Sequence, residues 1–278
     1  MAARRILVKV GGETLRDPAD RARLAVELVK LHKTGAQLCV VHGGGPQITA
    51  LGQRLGLQSS FVAGRRITDA AMLDAVALAL CGEVGPQLLA ACEAAGLPAV
   101  TTCAASGGCV VGRRRPPRAV AGQPEPVDFG LVADIADVQP QLLLTLWQGG
   151  FVPLLSPLVA DSEGQLLNLN ADSLVAGLTA ALKFDDVVLV TGVAGVYRDL
   201  TDPSTHMPEL VDSEIAQLIV SGAITGGMIA KLEEVRSILA HGASAVWIVG
   251  YKEAGALSNA LNPTADTDRR LRTVVRRG

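Results

Sequence analysis

The 278-residue sequence predicts an α/β fold built on a parallel sheet covered by helices. Three observations carry that prediction. Ile6-Leu7-Val8-Lys9-Val10 is a largely apolar, β-branched run that ends at Gly11-Gly12 and is followed by Asp17-Pro18, a helix-capping pair. Ala36 to His42 is a second such run, ended by Gly43-Gly44-Gly45-Pro46 and again followed by a helical pattern. Two consecutive strand–glycine–helix units need crossover connections, which place the strands parallel. The second half repeats the layout, with apolar runs at Phe151–Ser156, Val187–Val190 and Ala245–Val249.

The elements follow in order. Leu24, Leu28 and Leu31 recur at helical spacing and the helix ends near Gly35. The helix after Gly45 runs toward Leu55. Gln58 to Ile67 predicts short strands around Gly64. Thr68-Asp69 caps a helix carrying Met72, Leu73, Val76 and Leu80, and helical character continues to about Gly96. Ala99 to Thr102 is a short strand. Gly107 to Asp128 predicts a hairpin with an exposed loop, its run Arg113-Arg114-Arg115-Pro116-Pro117 in solvent. Gln141–Gln148, Asn170–Leu182, Asp212–Ser221 and Met228–Ala240 predict helices, Asp161–Gly164 a turn, and Leu271–Val275 a final edge strand.

Composition removes several function classes. A formal net charge of −2 gives no basic field for nucleic acid or an anionic membrane. Aromatic residues at 3% give no base-stacking platform. The five cysteines (Cys39, Cys81, Cys92, Cys103, Cys109) form no C-x-x-C pair, which suits reduced thiols in a cytoplasmic protein. Val138 to Ala160 is uncharged, but its glutamines, glycines and prolines break it into a helix and a strand rather than a membrane span. Arg4-Arg5 before an apolar run is not a signal peptide, because Lys9 interrupts that run too early.

Four segments carry polar chemistry at the ends of apolar elements. They are Lys9 with Gly11-Gly12, the triplet Gly43-Gly44-Gly45, the run Asn168-Leu169-Asn170-Ala171-Asp172, and Gly226-Gly227 before a helix whose first turn holds Lys231. Loops after parallel strands gather at one rim of the sheet, where ligands bind. Glycine turns expose backbone N–H groups and lysines add point charges, a combination suited to a phosphoryl group in transfer. The sequence lacks G-x-x-x-x-G-K-[ST] and H-R-D, and its one D-F-G, Asp128-Phe129-Gly130, follows no H-R-D catalytic loop, so it is neither a P-loop enzyme nor a protein kinase. Gly43-Gly44-Gly45 does not meet the dinucleotide G-x-G-x-x-G pattern either.

Lys9-x-Gly11-Gly12, Val41-His42-Gly43-Gly44-Gly45-Pro46, Gly64-x-Arg66-x-Thr68-Asp69, Asn168-x-Asn170-Ala171-Asp172 and Gly227-Met228-x-x-Lys231 occur in that order. With these motifs the chain resembles the amino acid kinase family over nearly its whole length. The resemblance implies an open three-layer αβα sandwich with a mainly parallel central sheet. It implies an N-terminal lobe, 1–180, for acyl-acceptor binding and dimerisation, and a C-terminal lobe, 181–278, for ATP. The implied reaction moves the γ-phosphoryl of ATP, with Mg²⁺, to the side-chain carboxylate of N-acetyl-L-glutamate in arginine biosynthesis. Lys9 and Lys231 then match lysines that stabilise the phosphoryl, and Asp172 the aspartate that holds them. Gly11 and Gly12 match phosphate-binding backbone. Gly44, Gly45, Arg66 and Asn168 match acceptor-binding positions. Thr191, Gly195, Val196, Thr225 and Gly227 match ATP-binding positions, and no side-chain metal site is implied.

The chemistry agrees with that assignment. A carboxylate nucleophile is already ionised at pH 7, so no general base is needed, and none of the four histidines requires a catalytic role. His42 is expected to be a locally hydrogen-bonded residue at the strand end. Two alternatives stand beside this reading: a kinase of carrier-protein-linked aminoadipate or glutamate, and a non-catalytic nucleotide-binding regulatory module. The expected partners are a small-molecule substrate and a second copy of the chain, with no nucleic acid and no membrane. Only five residues precede the first strand, and the resemblance then implies a homodimer without arginine feedback.

Overall fold

A computed structural model describes residues 3–199, 201–224, 226–253, 255–262 and 272–278. The N-terminal part runs β1 (Arg5–Val10), α1 (Pro18–His32), β2 (Gln37–His42), α2 (Gly45–Arg54), β3 (Phe61–Val62), β4 (Arg65–Arg66), α3 (Ala70–Ala77) and α4 (Gly85–Ala94). A wider helical turn, Leu78–Val84, joins α3 to α4. Next come β5 (Ala99–Cys103), β6 (Val110–Arg114), β7 (Ala133–Val138), α5 (Gln141–Gln148), β8 (Val152–Ser156), β9 (Leu158–Ala160) and β10 (Leu166–Asn168). The remainder is α6 (Ala171–Leu182), β11 (Asp186–Thr191), β12 (Val196–Tyr197), β13 (His206–Met207), β14 (Glu209–Val211), α7 (Asp212–Val220), α8 (Gly227–Ala240), β15 (Ala245–Gly250), α9 (Ala256–Leu261) and β16 (Arg272–Arg276).

Caps begin the helices as the sequence predicts. The Asp17 carboxylate accepts from the Ala19 N–H at 2.7 Å, with Pro18 in the first turn. Asp69 accepts from the Met72 N–H at 2.8 Å. Asn170 Oδ1 accepts from the N–H groups of Asp172 and Ser173 at 2.7 and 3.2 Å, and so starts α6.

One sheet crosses the molecule in the order β14-β16-β15-β11-β1-β2-β8-β5. Its pairings are parallel except between β15 and β16. A smaller sheet has the order β10-β9-β6-β7. Alternation along β1 decides what each face receives. Ile6, Val8 and Val10 join the core beneath α1, α4 and α9. Leu7 points the other way, into the core formed with α5, α6, α7 and α8. Lys9 shares the parity of Leu7, so its side chain rises on the face that α6 and α8 cover. The mostly parallel sheet between helical layers is the predicted open sandwich.

Two expectations are corrected, and three strands are added. β16 is an interior strand, because β14 adds outside it; antiparallel pairing with β15 puts it there, a tertiary choice that its sequence does not encode. β7, β9 and β10 were not foreseen. The arginine run is not wholly solvated: Arg115 is 6% exposed, donates from Nε to Asp134 at 2.9 Å, and shares that carboxylate with Arg118 at 2.5 Å. The uncharged stretch from Val138 to Ala160 divides as expected into α5, β8 and β9. A different run, Ala70–Ala94, is long and apolar enough by composition to cross a membrane. Its Met72, Leu73, Val76, Leu80 and Leu88 are packed into the cores.

Candidate active site

Lys9 leaves the sheet between Val41 of β2 and Leu189 of β11. Its Nζ lies 2.6 Å from Asp172 Oδ1 on the first turn of α6. A second carboxylate, Glu234 on α8, places Oε1 3.7 Å from the same Nζ. Lys231 belongs to the first turns of α8, one helical step from Glu234, and interacts electrostatically with Lys9, Asp172 and Glu234. Two lysines and two carboxylates from three distant segments therefore form one cluster.

The charges in this cluster follow from burial and proximity. Burial by itself lowers the Lys9 pKa, but Asp172 and Glu234 more than offset it, so the group is held above its ordinary value and stays cationic. Lys231 shifts the other way, lowered by burial and then by the like charge of Lys9. Glu234 is pushed up to about 7, first by burial and then by the negative charge of Asp172.

The two glycine loops, which directly follow β1 and β2, pack against each other. A side chain on Gly12 would put its Cβ 2.8 Å from Gln47 Oε1 and 3.0 Å from Gly44 Cα. One on Gly44 would meet Leu80 Cδ2 at 2.6 Å. Glycine at these two positions is thus set by close approach. Gln47 Nε2 donates to Gly12 O at 2.9 Å and Gly43 N–H to Val10 O at 2.8 Å, which ties the loops together. Gly11 and Gly45 face open space, available for an approaching ligand.

His42 supports the second loop. It is fully buried; Nδ1–H donates to Gly43 O at 3.1 Å, which leaves Nε2 to accept from the Ser156 hydroxyl at 3.1 Å. Burial pushes its pKa down to about 4, so the ring is neutral and structural, as expected.

The other anticipated residues divide into two groups. Arg66, on the hairpin β3–β4, is held at the rim of the Gly45 loop by bonds to Gly45 O at 3.1 Å and Thr49 Oγ1 at 2.8 Å, and by Ser59. Its guanidinium also lies over Phe61, 4.6 Å from the ring centre. Asn168 Nδ2 donates to Thr68 Oγ1 at 3.2 Å, beside the cap of α3. Thr191 ends β11 and its hydroxyl donates to Val193 O at 2.6 Å. Gly195 has a φ of +96° and packs on Thr273 and His206. Val196 is wholly buried and its N–H donates to Thr273 Oγ1 at 2.8 Å, so neither its side chain nor its N–H is presented to a ligand. Gly227 opens α8; Thr225 lies outside the described residues.

Glu234 was missed by sequence reasoning. In Lys231-Leu232-Glu233-Glu234 it looks like part of a solvated helix face, and only its three-residue spacing from Lys231 hinted otherwise. Asp172 and Glu234 also line a cavity of about 1240 Å³ that extends between α6, β7 and α8. Among the described residues no group of three or more carboxylate, histidine or cysteine side chains is arranged to hold a metal ion.

Cationic groups and glycine N–H donors on the carboxyl rim of an open parallel sheet define a phosphotransferase of the α/β class. Comparison with known proteins makes the assignment specific. Residues 4–250 match the model of the amino acid kinase family, and the chain belongs to that family. A protein named acetylglutamate kinase from Anaeromyxobacter sp. (strain Fw109-5) is 42% identical over 260 residues, 93% of this chain and 96% of its own length. One of the same name from Sorangium cellulosum (strain So ce56) is 42% identical over 91% of this chain and 89% of its own. Among solved structures, carbamate kinase from Giardia lamblia bound to AMP-PNP shares the fold, with a TM-score of 0.71, 16% identity and coverage of 100% of this chain and 99% of that one. The protein is a kinase of this fold.

Proposed function

We propose that the protein transfers the γ-phosphoryl group of MgATP to the side-chain carboxylate of N-acetyl-L-glutamate, giving N-acetyl-L-glutamyl 5-phosphate for arginine biosynthesis. The observation that supports it most is the meeting of Lys9, Asp172 and Lys231, with Lys9 two residues before one of two interlocked glycine loops. The acetylglutamate kinase relatives supply the acceptor.

An acceptor carboxylate oxygen attacks the γ-phosphorus while the bond to the β-phosphate oxygen breaks, and ADP leaves with that electron pair. No proton has to be removed from the nucleophile. The obstacle is repulsion between two anions, and the two ammonium groups cancel it where charge shifts in transit. Asp172 keeps Lys9 in place through its 2.6 Å contact. The N–H groups of Gly11, Gly12, Gly44 and Gly45 face the phosphoryl and the acceptor. Arg66 attracts the α-carboxylate with its charge and with the Nε–H that its bonds to Ser59, Met72, Gly45 and Thr49 leave free, and Asn168 takes the neighbouring amide. The nucleotide lies over Thr191, Gly195 and the start of α8, with residues 1–180 as the acceptor lobe and 181–278 as the nucleotide lobe.

We place the enzyme in the cytoplasm as a homodimer. Leu78 is 56% exposed on the long apolar helical run, and β5 ends the large sheet beside it, so a second copy is the partner that would cover both. Light scattering at the monomer mass would contradict this.

The functional test is ADP release with N-acetyl-L-glutamate, glutamate, aspartate and uridylate, with hydroxylamine trapping of any acyl phosphate. Release and a hydroxamate with N-acetyl-L-glutamate are expected. Activity only with a carrier-protein-linked acceptor, or with none, would refute the proposal.

A further inference from the structure

We propose that Glu234 is a positioning residue of the phosphoryl gap that shares one proton with Asp172, so that Lys9 and Lys231 keep a net positive charge as the anionic substrates enter. The inference rests on the kinase reading of this site.

The geometry carries the argument. Glu234 is 13% exposed at its side chain, and its Oε1 lies 3.7 Å from Lys9 Nζ, beyond hydrogen-bonding range. That buried oxygen has no hydrogen-bond partner. An unpartnered buried oxygen costs much more on an ionised carboxylate than on the protonated form. Glu234 and Asp172 both face Lys9 Nζ, at 3.7 and 2.6 Å, so two like charges crowd one ammonium group and each opposes ionisation of the other. Lys9 is committed to Asp172 at 2.6 Å, which leaves Glu234 as the member of the pair to hold the proton.

Charge balance gives the arrangement its consequence. With both carboxylates ionised, the two lysines are fully neutralised and the gap has no net attraction for a phosphoryl group. With one proton between the carboxylates the gap keeps a single positive charge. Incoming anions favour that state further, so nucleotide binding near neutral pH draws a proton onto Glu234.

Other charged groups face Glu234 from the surrounding elements. Lys9 comes from β1, Asp172 from α6 and Lys231 from its own helix. Across the cavity Arg65, Arg115 and Arg118 stand with Asp134 and Asp137, and Glu233 of α8 and His241 just after it also line the cavity. Of all these, Asp172, Lys9 and Lys231 act on Glu234 most strongly.

The experiment pairs kinetics with calorimetry on the full-length enzyme. For the wild type, kcat/KM should fall about tenfold from pH 6 to pH 8, as one group with a pKa near 7 loses its proton. In Glu234→Gln, which cannot ionise, the fall should be less than about twofold over the same range. Glu234→Asp restores a titrating carboxyl and should restore a pH-dependent limb. Titration with Mg–AMP-PNP at pH 7.5, in two buffers of different ionisation enthalpy, should show proton uptake by the wild type and none by Glu234→Gln. A wild-type pH limb or proton uptake that persists unchanged in Glu234→Gln overturns the proposal, as does a flat Glu234→Asp profile. Proton uptake is read without turnover, so it is distinct from failure of the functional reading, which would appear as wild-type inactivity toward N-acetyl-L-glutamate.

Discussion

Replacing Lys9 with alanine is the sharpest perturbation of this site. The ammonium sits on the buried face of β1, 2.6 Å from Asp172 and 3.7 Å from Glu234. A phosphoryl oxygen that gains about half a unit of charge roughly 3 Å from an ammonium is stabilised by about 3 kcal/mol at an effective dielectric of about 20. That energy corresponds to about 100-fold in rate. Loss of one preorganised donor in water-poor sites has effects of about 100- to 1,000-fold, so kcat should fall within that range. Both KM values should change less than about fivefold, because the interaction strengthens mainly in the transition state. Lys9→Met keeps the packed stem and removes the charge, and should show nearly the same loss. The assay is coupled ADP release at saturating MgATP and acceptor, on protein whose melting shows it folded. A kcat within threefold of wild type, or a loss confined to KM, would refute the reasoning.

Arg66→Ala should raise the acceptor KM about 10- to 100-fold, the value of charge-assisted hydrogen bonds, and leave the ATP KM within about twofold; equal loss of both contradicts the clamp. Gly12→Ala would drive a methyl group to 2.8 Å from Gln47 and 2.9 Å from Pro46, forcing the glycine loops apart. It should cost about 1–3 kcal/mol in urea unfolding along with most of the activity, and full activity at wild-type stability contradicts the interlock. Asp134→Ala strips the buried Arg115 of its partner carboxylate and should destabilise the fold by about 3–5 kcal/mol, whereas a change under about 0.5 kcal/mol would mean that Arg115 is effectively solvated.

The sequence disclosed what local chemistry controls. β1, β2, β8, β11 and β15 are apolar runs, legible because a strand buried on both faces needs such residues throughout. Asp17, Asp69 and Asn170 cap helices as local hydrogen bonding requires. What stayed hidden depends on partners far along the chain. Ala-Asp-Ile-Ala-Asp-Val of β7 carries two carboxylates and reads as loop; its pairing with β6 makes it a strand. β9 and β10 are three residues each, too short for periodicity to register. Arg115 looked exposed among its neighbours because Asp134 lies 19 positions away.

Site residues followed the same division. Lys9, Gly12, Gly44 and Asp172 were visible because glycine turns and caps sit at predictable ends of elements. Glu234 was not, since its contact with Lys9 crosses the space between α8 and β1. Val196 shows what a motif leaves out: its N–H and side chain are used inside the fold, a consequence of Thr273, 77 positions away.

The most direct test of the central claim is a crystal structure with MgADP, aluminium fluoride and N-acetyl-L-glutamate. The account predicts the planar fluoride between ADP and the acceptor's side-chain carboxylate, with Nζ of both Lys9 and Lys231 about 2.7–3.2 Å from its ligand atoms. A fluoride bound with either ammonium pointing away, or seated toward Arg115 at the far side of the cavity, would contradict it.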